Sequence, residues 1–379
     1  MERVNEMIKN TIVEIEDEIK DEYSNDDLFN ISSWGADLSF RELITMYEEG
    51  ELVKPELQRK YVWERNEASR FIESILLGLP VPSIFLAQVG KKKLIVDGYQ
   101  RIMTVYEYIK LGIFSKDGKV FKLSSSDMIN PRWRGKSFNE LEDDDKITLR
   151  STTIHAIVFE QKKPNNDTSL YQIFERINTS GRTLKPQEIR NCIYQGTFNT
   201  LLFKLNKNKN WRKLYGDITE DTRMIDIEFI LRFFAISHLK YDELKIKQIS
   251  LKKYLNEFMG EYKDIDENDS KIIDDDFTNC MDFIFKNIGL DAFHSISPSS
   301  DEYVQRFHPT IFDAVTIATY IYLKSANKAP VNLIKEKHFD LVNDEEFKEY
   351  ISIRTTNIDN IKGRIGKALQ YLYEMEVIL

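Results

Sequence analysis

Cysteine is almost missing from these 379 residues, with only Cys192 and Cys280, far apart and in no C-x-x-C pair. That argues against a disulfide framework or a cysteine-held zinc and points to a reducing cytoplasm. Long apolar runs are missing too. No stretch approaches the ~18 apolar residues of a membrane-spanning helix, so no membrane partner is expected. The opening MERVNEMIKN carries acids and no apolar core, which is not the pattern of a signal peptide. The five histidines, His155, His238, His294, His308 and His338, never stand at H-x-x-x-H spacing and have no Cys/His cluster beside them. No HNH-type nuclease centre is visible in that distribution. There is no G-x-S-x-G elbow and no G-x-x-x-x-G-K-[ST] loop, which removes the commonest hydrolase and kinase patterns. Fixed-period repeats and low-complexity tracts are absent.

An excess of positive charge is also lacking. The net charge is −9, against a simple nucleic-acid coat. Residues 1–30 account for −7 of it, with ten acids and three bases, so the rest of the chain is nearly neutral. Within this acidic arm, Val4, Ile8, Ile12, Ile15 and Ile19 fall at helical spacing, which predicts an amphipathic helix packing on the body or on a partner.

What is present reads as two patterns in succession. From about 38 to 162, strand and helix signals alternate. GELVKP is a strand and RNEASRFIESILLGL a helix. SIFLAQV and KKLIVDG form a hairpin, a helix covers 99–111, and GKVFKL and STTIHAIVFE are further strands. The stretch SSSDMINPRWRGKSFNELEDDDK between those last two reads as polar and irregular. From 163 to 379 nearly everything reads helical, beginning with SLYQIFERINTSG and KPQEIRNCIYQG. DIDENDSKIIDDD, at 264–276, reads as a solvated acidic loop. The expected organisation is therefore an acidic helical arm over 1–37, an α+β domain over 38–162 and a helical domain over 163–379.

Three polar clusters carry candidate chemistry. In PELQRKYVW, Gln58 and Arg59 interrupt an extended aromatic stretch that ends at Trp63; an edge strand with exposed polar groups would account for the same residues. In VDGYQR, a strand ends at Val96, Asp97 and Gly98 turn the chain, and a helix starts with Tyr99, Gln100 and Arg101. A helix N-terminus offers free N–H groups and the positive end of its dipole. A guanidinium in the first turn is unfavourable there unless an anion neutralises both, which is the arrangement of a phosphate site. Asp97 could hold Arg101, cap the helix, bind a metal ion or orient a water. A cap and a surface arginine are the ordinary alternative. In FERINTSGRTLKPQEIR, Arg176 and Asn178 close a helix before a Ser-Gly turn, with Arg182, Lys185 and Arg190 following.

Taken together, the clusters PELQRKYVW, DGYQR and FERINTSG resemble the N-terminal domain family of GmrSD-type modification-dependent restriction systems (domain of unknown function 262). Its pattern runs roughly P-x-F-Q-R-x-Y-V-W, D-G-Q-Q-R, F-x-x-I-N-x-x-G. SILLGLPVPSIFLAQ and RMIDIEFILRFFAI extend the likeness, which runs from about 38 to beyond 310. The resemblance implies a ParB/sulfiredoxin-like N-terminal domain with a larger, mostly α-helical C-terminal region. It also implies nucleoside triphosphate binding and hydrolysis, with Mg2+ accompanying the nucleotide, in a restriction or phage-defence setting. Asp97, Gln100 and Arg101 would then be catalytic; Gln58, Arg59, Trp63, Gly98, Tyr99, Thr104, Arg176 and Asn178 would bind the nucleotide. Partners would include DNA and a separate nuclease subunit, since 335–379 carries one histidine and no HNH pattern. Tyr99 stands where the family has glutamine. A phenol can stack or donate one hydrogen bond, but it lacks the amide's paired donor and acceptor; alternatively, a helix-start aromatic of this kind points into the core.

Two other readings come from charge alone. KLNKNKNWRKL (204–214) and LKIKQISLKK (244–253) could bind DNA phosphates, with Trp211 stacking on a base. The acidic arm could instead mask a basic partner surface.

Overall fold

The computed structural model describes residues 12–19, 31–53, 61, 63–161, 168–177, 185–239, 246–297, 299–300, 302–326 and 331–376. The chain is a mixed α and β structure that divides into two compact units. One comprises Asn25–Leu184 and Glu188–Ile193; the other comprises Met1–Ser24, Lys185–Gln187 and Tyr194–Leu379.

The first unit is built on a five-stranded sheet in the order β1-β7-β3-β4-β2. Its strands are β1 (Ile31–Ser39), β2 (Leu52–Val53), β3 (Ile84–Val89), β4 (Lys92–Asp97) and β7 (Thr153–Gln161); a two-stranded ribbon, β5 (Ile113–Phe114) and β6 (Lys119–Val120), stands apart. β1 and β7 are antiparallel, as are β3 and β4, while β3–β7 and β2–β4 are parallel. The predicted SIFLAQV/KKLIVDG hairpin is therefore present. β1 falls partly inside the span expected as a helical arm. Its sequence, ISSWGADLS, hides a two-residue period behind Gly and Ser, and pairing with β7 along its whole length makes it a strand.

Helices α1 (Phe40–Glu48), α2 (Arg65–Leu76), α3 (Tyr99–Tyr106), α4 (Asp143–Ser151) and α5 (Thr168–Ile177) complete this unit. α1 opens with a capping box in which Ser39 and Glu42 bond reciprocally. Phe71, Ile72 and Ile75 on α2, Ile102 and Val105 on α3, and Leu86 and Ile95 on the sheet close one apolar core. α3 runs on as a π-helical turn over Glu107–Leu111 before Gly112 stops it in the left-handed region. α4 lies at the end of the stretch expected to be irregular. Asp143, Asp144 and Asp145 sit at its positive end, and Asp145 accepts from Arg132 Nη2 at 2.8 Å and Trp133 Nε1 at 2.9 Å, which pins the preceding loop.

The α6 helix (Pro186–Ile193) is divided between the units. The second unit holds α7 (Thr197–Leu205), α8 (Lys209–Tyr215), α9 (Ile225–Ser237), α10 (Leu251–Glu261), α11 (Glu267–Asn287), α12 (Pro309–Lys324), α13 (Ile334–Asn343), α14 (Glu345–Ser352) and α15 (Ile358–Tyr373). A small antiparallel pair, β8 (His294–Ile296) and β9 (Tyr303–Phe307), interrupts them. α9 and α12 are apolar nearly all round and buried, as central helices must be.

Two expectations need correction here. The amphipathic helix expected over 4–19 is, within the described part, extended at Ile12–Val13 and helical only over Glu16–Ile19. Ile12 bridges Phe307, and Val13 N–H donates to the Phe307 carbonyl at 2.8 Å, so the β9 edge takes backbone groups a helix would use internally. The acidic stretch 264–276 is no loop: it contains most of the first three turns of α11. Asp266 caps the helix, accepting from Asn268 N–H at 2.9 Å and Asp269 N–H at 2.8 Å. Glu267 and Asp269 complement the dipole, and Phe277, Cys280, Met281 and Ile284 bury the later face. Asp266→Ala should therefore lower stability by about 1 kcal/mol, the usual worth of an N-cap. Urea unfolding followed by circular dichroism checks this; a solvated loop would give no change.

Candidate functional site

The strand-to-helix junction at the end of β4 is set first by sterics. Gly98 has φ 97°, in the left-handed region, and a Cβ there would lie 2.3 Å from Ile84 Cγ2. Only glycine satisfies both the turn and the close approach to β3. The α3 helix then begins at Tyr99, and the Ile102 N–H donates to the Gly98 carbonyl at 3.0 Å.

Arg101 turns back toward the sheet. Its Nη1 donates to the carbonyls of Pro82 at 2.6 Å and Ser83 at 2.8 Å, and its Nη2 donates to Asp97 Oδ2 at 2.6 Å. The Arg101 side chain is 13% exposed and that of Asp97 43%. Of the roles open to Asp97 in the sequence, the geometry displays the holding of Arg101. Two carbonyls and a carboxylate neutralise the cation that a phosphate was expected to meet at this helix start.

Gln100 and Thr104 join this junction to the first cluster. The Gln100 Oε1 accepts from the Trp63 N–H at 3.2 Å. The Thr104 hydroxyl donates to the Gln100 carbonyl at 2.7 Å, so its oxygen accepts from the Tyr61 hydroxyl, also at 2.7 Å. On the near side of the same segment, Leu52 and Val53 pair with Lys93 and Leu94 of β4. The described residues before Gln58 and Arg59 thus lie beside β4, and those after them lie against α3. Those two residues lie outside the described residues, as does Asn178. Arg176 is exposed in the last turn of α5.

Two aromatics of the clusters are taken up by packing. Tyr99 is 8% exposed and packs in the core, and burial pushes its phenol pKa up. It is a core residue of the helix start, not a platform displayed to a ligand. Trp63 is half-buried, edge-on to Phe71 with ring centroids 5.5 Å apart. The core needs aromatic volume at both positions, which a motif cannot reveal.

Glu107 was not singled out in the sequence. It is buried at the start of the π turn, where its carboxylate accepts from the Ser115 N–H and hydroxyl. Burial pushes its pKa up, against the lowering effect of those two bonds. The available signal was an acid one residue before Tyr108 on an otherwise apolar helical face.

The basic stretch proposed for DNA is largely committed elsewhere. Trp211 is 0% exposed and donates from Nε1 to Asn206 at 2.9 Å. Arg212 is buried in an ion pair with Asp226 at 2.6 Å. Lys204 pairs with Asp274, and the Lys213 ammonium lies 4.7 Å from the centre of the Phe285 ring. Apolar packing of α8 explains why Trp211 cannot stack on a base. Part of the second basic stretch lies outside the described residues; Ile249 and Leu251 within it are buried. Among the described residues, no group of three or more His, Cys, Asp or Glu is arranged to hold a metal ion, and no helix is long and apolar enough to cross a membrane.

Residues 40–195 match the family described as the GmrSD restriction endonuclease, N-terminal domain. This stretch, about two fifths of the chain, is of the GmrSD N-terminal domain type. This domain spans α1 to α6 and contains all three polar clusters. No curated protein matches the chain.

Within the GmrSD N-terminal domain, Arg101 and Glu107 give separable predictions. Arg101→Ala should cost about 1.5–3 kcal/mol of stability through loss of charge-assisted hydrogen bonds, read as a lower urea midpoint at unchanged slope. Arg101→Lys should recover only part, because an ammonium lacks the planar fork that reaches two carbonyls and a carboxylate together. For Glu107, the folded-state pKa lies above the ordinary 4.5, so folding favours its protonated form. That contribution is present below the unfolded pKa and is lost as pH rises through the folded value. Glu107→Gln should therefore gain on the wild type as pH rises across that window, measured by melting temperature against pH.

Proposed function

We propose that the chain is a nucleotide-binding component of a restriction or phage-defence system. In this reading its GmrSD N-terminal domain, with a ParB/sulfiredoxin-like arrangement, binds and hydrolyses a nucleoside triphosphate. Hydrolysis regulates a separate nuclease subunit acting on DNA. The observation carrying it is the tie between clusters: Gln100 to Trp63 and Thr104 to Tyr61 hold the exit of the Gln58–Arg59 segment against the helix that starts at Gly98. This supports a reading in which the guanidinium of Arg59 and the amide of Gln58 act with a helix N-terminus, whose N–H groups and dipole favour phosphate oxygens.

Arg59 and Gln58 contact phosphates. Arg101, engaged with Pro82, Ser83 and Asp97, shapes the junction without being the primary contact. Asp97, half-exposed with one oxygen on Arg101, is the carboxylate placed to orient an attacking water. Attack at the γ-phosphorus breaks the bond to the β-phosphate oxygen, and the water's proton leaves to solvent. Mg2+ would accompany the triphosphate, held by phosphate oxygens and water, and would draw charge away from the leaving phosphate. Arg176 and Asn178 contribute from the end of α5.

The test is titration of purified protein with ATP and GTP, with and without Mg2+, alongside release of labelled phosphate. Arg59→Ala should weaken nucleotide binding by about ten- to a hundredfold, the loss of one charge-assisted contact, with an unchanged melting temperature. Absence of saturable triphosphate binding by folded wild-type protein would overturn the reading.

A further inference from the structure

A pocket of about 240 Å3 opens in the second unit among α9, α10, α11 and α12. The nucleotide reading makes no use of it. Along one side, α11 presents Asp269, Ile272, Ile273 and Asp276. Spacings of three, four and seven put these on one helical stripe, with the two carboxylate positions about 10 Å apart along the axis at ~1.5 Å per residue. The stripe reads acid, apolar, apolar, acid.

The facing walls include two tyrosines, Tyr262 and Tyr320, whose rings carry negative potential on their faces. His238 Nδ1 lies 2.8 Å from the Phe234 carbonyl, an acceptor, so Nδ1 carries a proton and the ring is held against its own helix end. One end of the pocket already holds an alkylammonium from the chain itself. The Lys324 Nζ sits 2.7 Å from Asp276 Oδ1 and 5.7 Å from the centre of the Tyr320 ring. At the other end, Asp269 is exposed, and no ion pair engages it among the described residues.

We propose that this pocket binds a small aliphatic amine, with its ammonium on Asp269 and its alkyl stem along Ile272 and Ile273, in the manner Lys324 already displays at Asp276. Acids outnumber bases in the lining two to one, and aromatic faces attract cations, so an anion is disfavoured. The isoleucine floor selects an apolar stem over a hydrated metal ion. The volume lies below the ~300–1,000 Å3 of drug-sized sites, which keeps the ligand short. The ammonium can come from a free alkylamine or from a lysine side chain presented by another protein; the chemistry at Asp269 is the same.

Calorimetric titration of the full chain with n-butylamine, 1,4-diaminobutane, Nα-acetyl-lysine amide and n-butanol tests the site. Saturable binding of the amines and none of the alcohol is expected. Asp269→Asn, which keeps the shape and removes only the charge, should weaken amine binding about tenfold or more, as loss of one charged contact does, while the lost dipole contact lowers the melting temperature only slightly. Lys324→Ala should free the Asp276 end and raise affinity for the diamine relative to butylamine. Tighter binding of the lysine amide than of butylamine assigns the source to a protein side chain, and the reverse order assigns it to a free amine. No saturable amine binding by the wild type, or binding unchanged in Asp269→Asn, overturns the proposal.

Discussion

The fork of Arg101 is the interaction on which the GmrSD N-terminal domain's junction depends. One guanidinium reaches the carbonyls of Pro82 and Ser83 before β3 and the carboxylate of Asp97 at the end of β4. It thereby fixes the entry to one strand against the exit of its neighbour. Gly98 completes the constraint, because a side chain there would collide with Ile84. With those two points held, α3 can start only in one direction, and Gln100 and Thr104 are aimed at Trp63 and Tyr61. A cation at a helix N-terminus is locally unfavourable. Here the strain of that placement is relieved by three oxygen acceptors within the domain.

The second unit has its own fixed point. Asp313, fully buried on α12, accepts from Arg232 Nη2 at 2.6 Å and from Arg364 Nη2 at 3.1 Å. Two guanidiniums on one carboxylate leave an uncompensated charge, and Glu18 supplies the missing one, accepting from Arg232 at 2.6 and 3.0 Å. Buried charges persist only when paired, so the start of the chain is bound into the helical unit by charge neutrality as well as by the Ile12–Phe307 bridge. Asp17 adds a contact, accepting from the Thr355 N–H at 3.1 Å.

The strong periodic elements were legible in the sequence. The SIFLAQV/KKLIVDG hairpin and the helix over RNEASRFIESILLGL follow from period and turn chemistry alone. What escaped was decided by partners remote in sequence. ISSWGADLS becomes a strand through β7, more than a hundred residues on. The acidic run at 264–276 looked like a loop because composition hid the helical spacing of Ile272, Ile273 and Phe277. Glu107 was unreadable because its burial depends on the π turn and on Ser115.

The sequence by itself determined the family of residues 40–195, the α and β content, and the glycine at 98, because motifs, periodicity and backbone freedom are local properties. Only the tertiary structure decided what the polar side chains do. Arg101 holds carbonyls, Tyr99 enters the core and Trp211 is buried, although each stands in a stretch that reads as ligand-binding. The reason is physical: a guanidinium or an aromatic ring takes whichever partner the folded chain brings within a few ångströms, and that partner is set by packing between distant segments.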